Sequence, residues 1–196
     1  MIAAIILSAG ESSRMGQPKA LLPIEGKSFI EIIVSGLRAT KVGKIIVVLG
    51  HHAAEIRPKI AHLPVEVLIN NDYKQGQLSS LKVALRHLET LESVDGALVH
   101  LVDHPFLNPI LVNKMIDRFY ESKELIVLPR YGGRRGHPVL FSRQLFSELL
   151  ETPVDQGAKA VVHAHREETL EIETEDEGVT VDIDTPEDYR QHAGRK

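Results

Sequence analysis

The sequence contains no cysteine. This absence excludes disulfide bonds, metal sites built on thiolates and a cysteine nucleophile, and it is consistent with a reducing compartment. No apolar stretch approaches the length of a membrane span. The first apolar run is short and no basic segment precedes it, so we expect no signal peptide. These features together predict a cytoplasmic protein.

An excess of positive charge is also missing, since the formal net charge of the 196 residues is -4. Proteins that bind nucleic acid or anionic membranes without sequence preference depend on clustered Lys and Arg, so we expect neither partner. Hydrophobic residues make up 43% of the chain and charged residues 26%, which is ordinary for a globular protein. The length suits one domain, and no linker divides the chain, which predicts a single domain over residues 1–196.

Several catalytic and nucleotide-binding motifs are absent as well. The sequence has neither the G-x-x-x-x-G-K-[ST] spacing of a Walker A loop nor G-x-G-x-x-G. The ten histidines show no convincing metal-ligand spacing. No evident Ser/His/Asp or Cys/His set points to nucleophilic catalysis.

Short apolar runs alternate with amphipathic segments at roughly 20-residue spacing through the first two thirds of the chain. Runs of this length predict buried strands. The predicted strands are Ile2–Leu7, Lys44–Leu49, Val65–Ile69, Ala97–Val102, Leu125–Leu128, Val139–Phe141, Thr169–Glu173 and Val179–Ile183. Alternation of this kind predicts a three-layer α/β fold, with a mostly parallel Rossmann-like sheet and helices on both faces. Ligands of such sheets bind at the carboxyl ends of the strands.

The stretch Leu7–Gly26 follows the first predicted strand directly and is rich in Gly and Ser. A loop of small residues after a buried strand allows backbone N–H groups to point at one anion, and Gly lets a phosphate come close. Arg14 and Lys19 add fixed positive charge. We therefore predict a polyphosphate-binding loop, and the alternative is a surface turn between a strand and a helix.

Two aspartates follow predicted strands at what should be the same edge of the sheet. Asp103 ends the strand Ala97–Val102, and Asp184 follows Val179–Ile183. Carboxylates beside a phosphate loop suit a Mg²⁺ ion shared between protein and polyphosphate. The alternatives are that Asp103 stabilises its own loop and that Asp184 caps the last helix, although Thr185 suffices as that cap. Asp182 would point to the same side as Asp184 if this segment were a strand.

Two further segments are candidates for ligand contacts. Ser79 and Ser80 begin a predicted helix and could donate hydrogen bonds to a ribose or a base, or one of them could simply cap the helix. The segment Gly132–Pro138 is cationic and glycine-rich, so it could receive an anionic second substrate. The alternative for this segment is a solvated hairpin turn.

With these features in hand, the sequence resembles the molybdenum cofactor nucleotidyltransferases, and within them the molybdopterin cytidylyltransferase type. The segments that carry the resemblance are LSAGESSRMGQPKALLP, NNDYKQGQLSSLKVAL, VDHPFL, GRRGHPVLF, DQGAKAVV and VDIDTPEDY. They cover nearly the whole chain. One departure is His104, where the family usually has Gln or Met; this side chain could approach the metal or face solvent.

The resemblance implies transfer of CMP from CTP to a molybdopterin-type acceptor, with release of pyrophosphate and with Mg²⁺ as cofactor. Asp103 and Asp184 would hold the Mg²⁺, and the catalytic residues would be Lys19, Arg14 and Asp103. Nucleotide binding would fall to Leu7, Ser8, Ala9, Gly10, Ser12, Ser13, Arg14, Gly16, Lys19, Ser79 and Ser80. Acceptor binding would fall to Arg134, Arg135, Gly136, His137, Gln156 and Gly157.

Some alternatives stay open at this point. The nucleotide could be GTP, because Ser8 lies beside the expected base pocket, and the acceptor could be a sugar or polyol phosphate. A cofactor chaperone without catalytic activity is an alternative from another class. A molybdoenzyme that receives the product is a candidate partner.

Overall fold

The computed structural model describes residues 1–192, so the last part of the predicted domain, residues 193–196, lies outside the described residues. The first half contains β1 (Ile2–Ser8), β2 (Pro23–Ile24), β3 (Lys27–Ser28), α1 (Phe29–Arg38), β4 (Lys44–Leu49), α2 (Ala53–Lys59), β5 (Glu66–Ile69), α3 (Gln77–Glu89) and β6 (Gly96–Leu101). The second half contains α4 (Pro109–Glu121), β7 (Ile126–Tyr131), β8 (Arg134–Arg135), β9 (Val139–Ser142), α5 (Phe146–Glu151), α6 (Lys159–Ala164), β10 (Thr169–Glu173) and α7 (Pro186–His192).

One sheet with the strand order β10-β7-β9-β6-β1-β4-β5 forms the centre of the molecule. Strand β1 pairs in parallel with β4 and β6, and β10 pairs in parallel with β7. Strand β9 is antiparallel to both β6 and β7, and β8 forms a hairpin with β7. The predicted α/β architecture with a mostly parallel sheet is confirmed. No helix within residues 1–192 is long and apolar enough to cross a membrane.

Both faces of the sheet are covered, which is why all seven residues of β1 are buried. The side chains of Ile2, Ala4 and Ile6 pack on the face that carries α1 and α4. The alternate residues of β1 pack on the opposite face, against α3 and α5. A strand that is covered on both sides is continuously apolar, as the first run of the sequence indicated.

The predicted strand Val179–Ile183 is wrong. Residues Glu177–Thr180 form a 3₁₀ turn, begun by the Asp176 carboxylate, which accepts a hydrogen bond from the Gly178 N–H group at 2.9 Å. Among residues 1–192, the segment 181–183 pairs with no strand. Val179 and Ile183 are buried in the core, so the segment has the apolar spacing of a strand although its backbone does not form one.

The segment 155–164 is helical only from Lys159 onwards. Gly157 has a φ of 68°, a left-handed conformation that interrupts helical geometry and is favourable for Gly. Gln156 and Gly157 therefore lie in a turn ahead of the helix. This turn brings them to the carboxyl edge of the sheet.

Candidate active site

The loop after β1 folds back on itself before it delivers Lys19. The N–H groups of Met15 and Gly16 donate to the carbonyl of Ser12 at 2.9 and 3.1 Å. The Ser12 hydroxyl in turn accepts a hydrogen bond from the Lys19 N–H group at 3.3 Å. Gly16 has a φ of 68°, which favours Gly, and the buried side chain of Met15 anchors the loop in the core. The loop is therefore held by hydrogen bonds to the carbonyl and the hydroxyl of Ser12.

Lys19 lies between the two predicted metal-binding aspartates. Its Nζ atom is 3.3 Å from Oδ2 of Asp103 and hydrogen-bonds Oδ1 of Asp184. The other oxygen of Asp184 accepts a hydrogen bond from Nη2 of Arg14 at 2.6 Å. The hydrogen bond from Lys19 lowers the pKa of Asp184 below its ordinary value, and Arg14 lowers it further. The structure thus brings together four of the predicted site residues in one charged cluster.

A backbone hydrogen bond explains why Asp103 and Asp184 meet, although they are far apart in the sequence. The N–H group of Ile183 donates to the carbonyl of Asp103 at 2.8 Å, directly after β6. The cap of α7 is made by other residues: the Thr185 N–H group donates to Asp188 Oδ2 at 2.8 Å, and the Asp188 N–H group donates to the Thr185 hydroxyl at 3.2 Å. This is the predicted helix start, and it leaves the side chain of Asp184 available to face Lys19.

The donor set at this cluster fits a divalent cation. Oδ1 of Asp103 is buried and has no hydrogen-bond partner among the described residues. A buried carboxylate oxygen without a partner is costly, so a cation at this position would satisfy it. Within residues 1–192, no group of three or more His, Asp and Glu side chains is arranged to hold a metal. Oxygen atoms from water and from a bound polyphosphate would therefore have to complete the coordination.

A cavity of about 290 Å³ opens above this cluster. Its walls include most of the residues predicted for the nucleotide, which are Leu7, Ser8, Ala9, Gly10, Ser12, Ser13, Arg14, Lys19 and Ser80. The predicted residues Gly16 and Ser79 do not line it. The Ser79 hydroxyl instead donates to the carbonyl of Gly76 at 2.7 Å, within the loop ahead of α3.

Sequence reasoning missed several residues of the same cavity, which are Pro18, Ala20, His52, Ile56, Tyr73, Gly76, Gln77, Leu101 and Val102. His52 and Tyr73 come from the connections after β4 and β5, and a hydrogen bond of 2.8 Å between His51 and Tyr73 joins the two connections. His52 was considered only among the ten histidines without metal-ligand spacing. A position after a parallel strand was the signal that could have placed His52 at the ligand edge.

A second cavity, of about 870 Å³, lies beside the first and shares Leu7, Gln77 and Leu101 with it. Its walls are largely apolar and include Leu78, Leu81, Val99, Leu128, Val139, Phe141, Ala158, Ala160 and Val162. Five of the six residues predicted for the acceptor line it, namely Arg135, Gly136, His137, Gln156 and Gly157. Lys159 and His163 add polar groups that the sequence did not single out.

The segment with Arg134 and Arg135 is a hairpin, as the alternative interpretation predicted. Arg134 is exposed and lies outside the cavity walls. Arg135 donates from Nε to Oε1 of Glu171 at 2.7 Å. A side chain at Gly136 would collide with the backbone carbonyl of Val179, so Gly is required where the hairpin meets the rest of the chain. The hairpin therefore has a structural role as a turn and also forms one wall of the second cavity.

His104 does not face solvent. Its ring is buried, its Nε2 atom is 4.0 Å from Oδ1 of Asp103, and its centroid is 4.8 Å from that of His137. Burial lowers the pKa of His104, and it lowers the pKa of His137 to about 4 and that of His100 to about 3. The rings are thus neutral at pH 7, and His100 donates from Nε2 to the carbonyl of His104 at 2.8 Å.

A mostly parallel sheet, a Gly- and Ser-rich loop after its first strand and two carboxylates at the same edge are the arrangement expected of a nucleotidyltransferase. Residues 4–169 match the model of the MobA-like NTP transferase domain, and the chain belongs to this family. The predicted enzyme class and the resemblance to the molybdenum cofactor nucleotidyltransferases are confirmed.

Similar proteins support this assignment. The chain is 28% identical over 191 residues to the molybdenum cofactor cytidylyltransferase of Escherichia coli strain K12, a match that covers 94% of this chain and 92% of that protein. The crystal structure of Rv0371c from Mycobacterium tuberculosis H37Rv has a TM-score of 0.86 at 32% identity, covering 97% of this chain and 95% of that one. A structure of Rv0371c in complex with manganese has a TM-score of 0.81 at 29% identity, covering 97% of this chain and 96% of that one.

Proposed function

We propose that the protein transfers CMP from CTP to the terminal phosphate of a molybdopterin-type acceptor, with Mg²⁺ as cofactor and pyrophosphate as the second product. The observation that carries this proposal is the position of the charged cluster. Lys19, Asp103 and Asp184 line a small polar cavity that shares three wall residues with a large apolar one. Two ligands bound in these cavities would meet beside the carboxylates.

The reaction forms one bond and breaks another at the same phosphorus. An oxygen of the acceptor phosphate attacks the α-phosphorus of CTP, and the bond from the α-phosphorus to the bridging oxygen of pyrophosphate breaks. A phosphate nucleophile is already ionised at neutral pH, so the enzyme has no need of a general base. The protein contributes alignment of the two phosphates and preorganised charge.

The charged residues of the cluster have distinct roles in this proposal. Asp103 and Asp184 would hold the divalent cation, and the unpaired Oδ1 of Asp103 supports this role. When bound, the cation would supply Lewis-acid charge at the phosphates. Lys19 and Arg14 would stabilise the charge on departing pyrophosphate, Lys19 as a point charge and Arg14 as a planar fork. The manganese in the Rv0371c structure supports a divalent cation for this fold.

The lining of the second cavity supports an acceptor with a flat ring system and an anionic arm. Leucine, valine and phenylalanine side chains cover a planar ring well, whereas a polyol would leave its hydroxyl groups without partners there. Lys159 adds a positive charge that suits a phosphate, and Arg135, which also pairs with Glu171, lies on the same wall. The E. coli relative, by its name a molybdenum cofactor cytidylyltransferase, supports CTP as the nucleotide. A molybdoenzyme that receives the product stays a prediction.

A panel of substrates tests the proposal. Each of CTP, GTP, ATP and UTP is offered with molybdopterin or with a sugar phosphate, in the presence of Mg²⁺ or Mn²⁺, and pyrophosphate release is followed. We expect the fastest release with CTP, molybdopterin and Mg²⁺. Faster release with a sugar phosphate would contradict a molybdopterin-type acceptor, and faster release with GTP would contradict CTP as the nucleotide.

A further inference from the structure

Asn70, which directly follows β5, is buried, contacts Ser80 of the small cavity's wall and was not among the predicted site residues. Only 3% of its surface is exposed. A buried amide group must form hydrogen bonds on both its oxygen and its nitrogen, because an unpaired polar atom in the interior is costly. The role of the Asn70 amide in the site therefore depends on the groups to which it is hydrogen-bonded.

The orientation of the Asn70 amide follows from one backbone contact. The N–H group of Asp72 donates to Oδ1 of Asn70 at 2.9 Å. A backbone N–H group can only donate, so the amide atom that faces it must be the oxygen. The amide nitrogen consequently points the other way, towards α3. There it donates to the hydroxyl oxygens of Ser79 at 2.8 Å and Ser80 at 2.9 Å.

The two serines differ in what they can still offer. Each accepts a hydrogen bond from Asn70, so each has its own hydroxyl hydrogen left to donate. Ser79 donates to the carbonyl of Gly76 at 2.7 Å and does not line the cavity. Ser80 lines the cavity, and within residues 1–192 its hydroxyl donates to no protein group. A bound ligand is the remaining partner for that hydrogen.

We propose that Asn70 is a positioning residue that fixes the Ser80 hydroxyl as a hydrogen-bond donor to the nucleoside of the bound nucleotide. The inference rests on the proposed function only in placing a nucleotide in the small cavity. Ser80 belongs to α3 and not to the loop of Arg14 and Lys19, which takes the phosphates. The atom that Ser80 contacts must be an acceptor, such as a carbonyl oxygen or an unprotonated ring nitrogen of the base.

The variant Asn70→Asp reverses the polarity of this arrangement at nearly constant shape. A carboxylate oxygen would replace the amide nitrogen and accept the Ser80 hydrogen, so Ser80 could no longer donate to the ligand. We expect Asn70→Asp and Ser80→Ala each to raise the KM for CTP about five- to tenfold, as the loss of one hydrogen bond should. We expect kcat to change by less than about twofold, because the contact is the same in the ground state and the transition state.

The double variant separates positioning from a general structural role. If Asn70 acts through Ser80, Asn70→Asp in the Ser80→Ala background should add nothing to the KM. A matched control is Asn71→Asp, which adds the same charge one residue away, at an exposed position without a hydrogen bond to either serine. We expect this control to leave the KM for CTP within about twofold of wild type.

Several outcomes would overturn the inference. An unchanged KM in Asn70→Asp would do so. So would a KM in the double variant that combines the full effects of both single variants, or a change in KM of equal size in Asn71→Asp. Thermal unfolding identifies any variant that does not fold. If Asn70→Asp fails to fold, Ser80→Ala decides, and an unchanged KM overturns the donor role. If the wild-type protein releases no pyrophosphate from CTP, the proposed activity fails separately, and dissociation constants for CTP measured by calorimetry replace KM in the same comparison.

Discussion

The two adjoining cavities differ in how the chain builds them. The small cavity has a volume of about 290 Å³ and is organised around charges that are tied to one another, with Lys19 between Asp103 and Asp184. The large cavity has a volume of about 870 Å³ and is walled mainly by apolar side chains from the sheet, α3 and α6. In the proposed reaction, the small cavity would supply charge and the large one would select the acceptor by shape.

The largest expected effect is the loss of a carboxylate from the small cavity. We expect Asp103→Asn and Asp184→Asn each to lower kcat by about 10³-fold or more, because the cation would lose an anionic ligand and its charge at the transition state. Pyrophosphate release at saturating Mg²⁺ measures the effect, and circular dichroism checks that each variant is folded. A variant that keeps a rate near that of wild type would remove its aspartate from the metal site.

A second, smaller effect should follow from the loss of Lys19. We expect Lys19→Ala to lower kcat on the order of 10²-fold, since a preorganised charge near the leaving group is missing. Lys114→Ala, at an exposed position on α4, is the matched control. The single-turnover rate of pyrophosphate formation measures the effect. An equal rate in Lys19→Ala and in the control would show that Lys19 has no role in the chemical step.

The large cavity should respond in KM rather than in kcat. Ala160 lines this cavity, whereas Ala164 lies on the same helix, is exposed and is not part of the wall. We expect Ala160→Phe to raise the KM for the acceptor about tenfold by filling space that the ring needs, and to leave the KM for CTP unchanged. Ala164→Phe should change neither constant. Equal changes in both KM values would contradict the division between the cavities.

The smallest expected effect concerns the stability of the segment directly after α6. His165 bonds Glu168 Oε2 at 2.6 Å and Glu148 Oε2 at 2.7 Å, and the hydrogen bond to Glu168 followed by that to Glu148 raises the pKa of His165. Both ring nitrogens are then donors, so the protonated form is stabilised in the folded state.

A group with a raised pKa contributes stability that is complete below its unfolded value, about 6.5 for His, and is lost as pH rises through the folded value. We expect His165→Gln to lower the free energy of unfolding by less than about 1 kcal/mol at pH 6, because the carboxylates are partly exposed, and not at pH 9. Urea unfolding at both pH values measures this difference. A loss of the same size at pH 9 would contradict a stabilising role of the protonated His165 ring.

Much of the fold and the charged half of the site could be predicted because the signals are local. The apolar runs that became β1, β4 and β6 are covered on both faces, so their composition alone indicates buried strands. Asp103 follows such a strand, and strand ends in a parallel sheet meet at one edge. The capping residues Thr185 and Asp188 also lie close together in the sequence, which made the start of α7 predictable.

The features that could not be predicted depend on contacts between distant segments. Residues Val179–Ile183 have the apolar spacing of a strand, yet this segment joins the fold through isolated hydrogen bonds, such as that from Ile183 to Asp103. Arg135 was predicted to bind the acceptor. Its pairing with Glu171 could not be predicted, because it depends on the pairing of β7 with β10. Asn70 begins one of the segments that carry the family resemblance, but its role could not be predicted, because it arises from the way the loop after β5 turns towards α3.

The measurement that tests the proposed activity most directly is pyrophosphate release by the wild-type protein with CTP, molybdopterin and Mg²⁺, compared with Asp103→Asn under the same conditions. We predict that the wild-type protein releases one pyrophosphate for each CMP joined to the acceptor, and that the variant releases almost none. Equal release by the two proteins, or no release by the wild type while CTP and molybdopterin are both bound, would contradict the proposal.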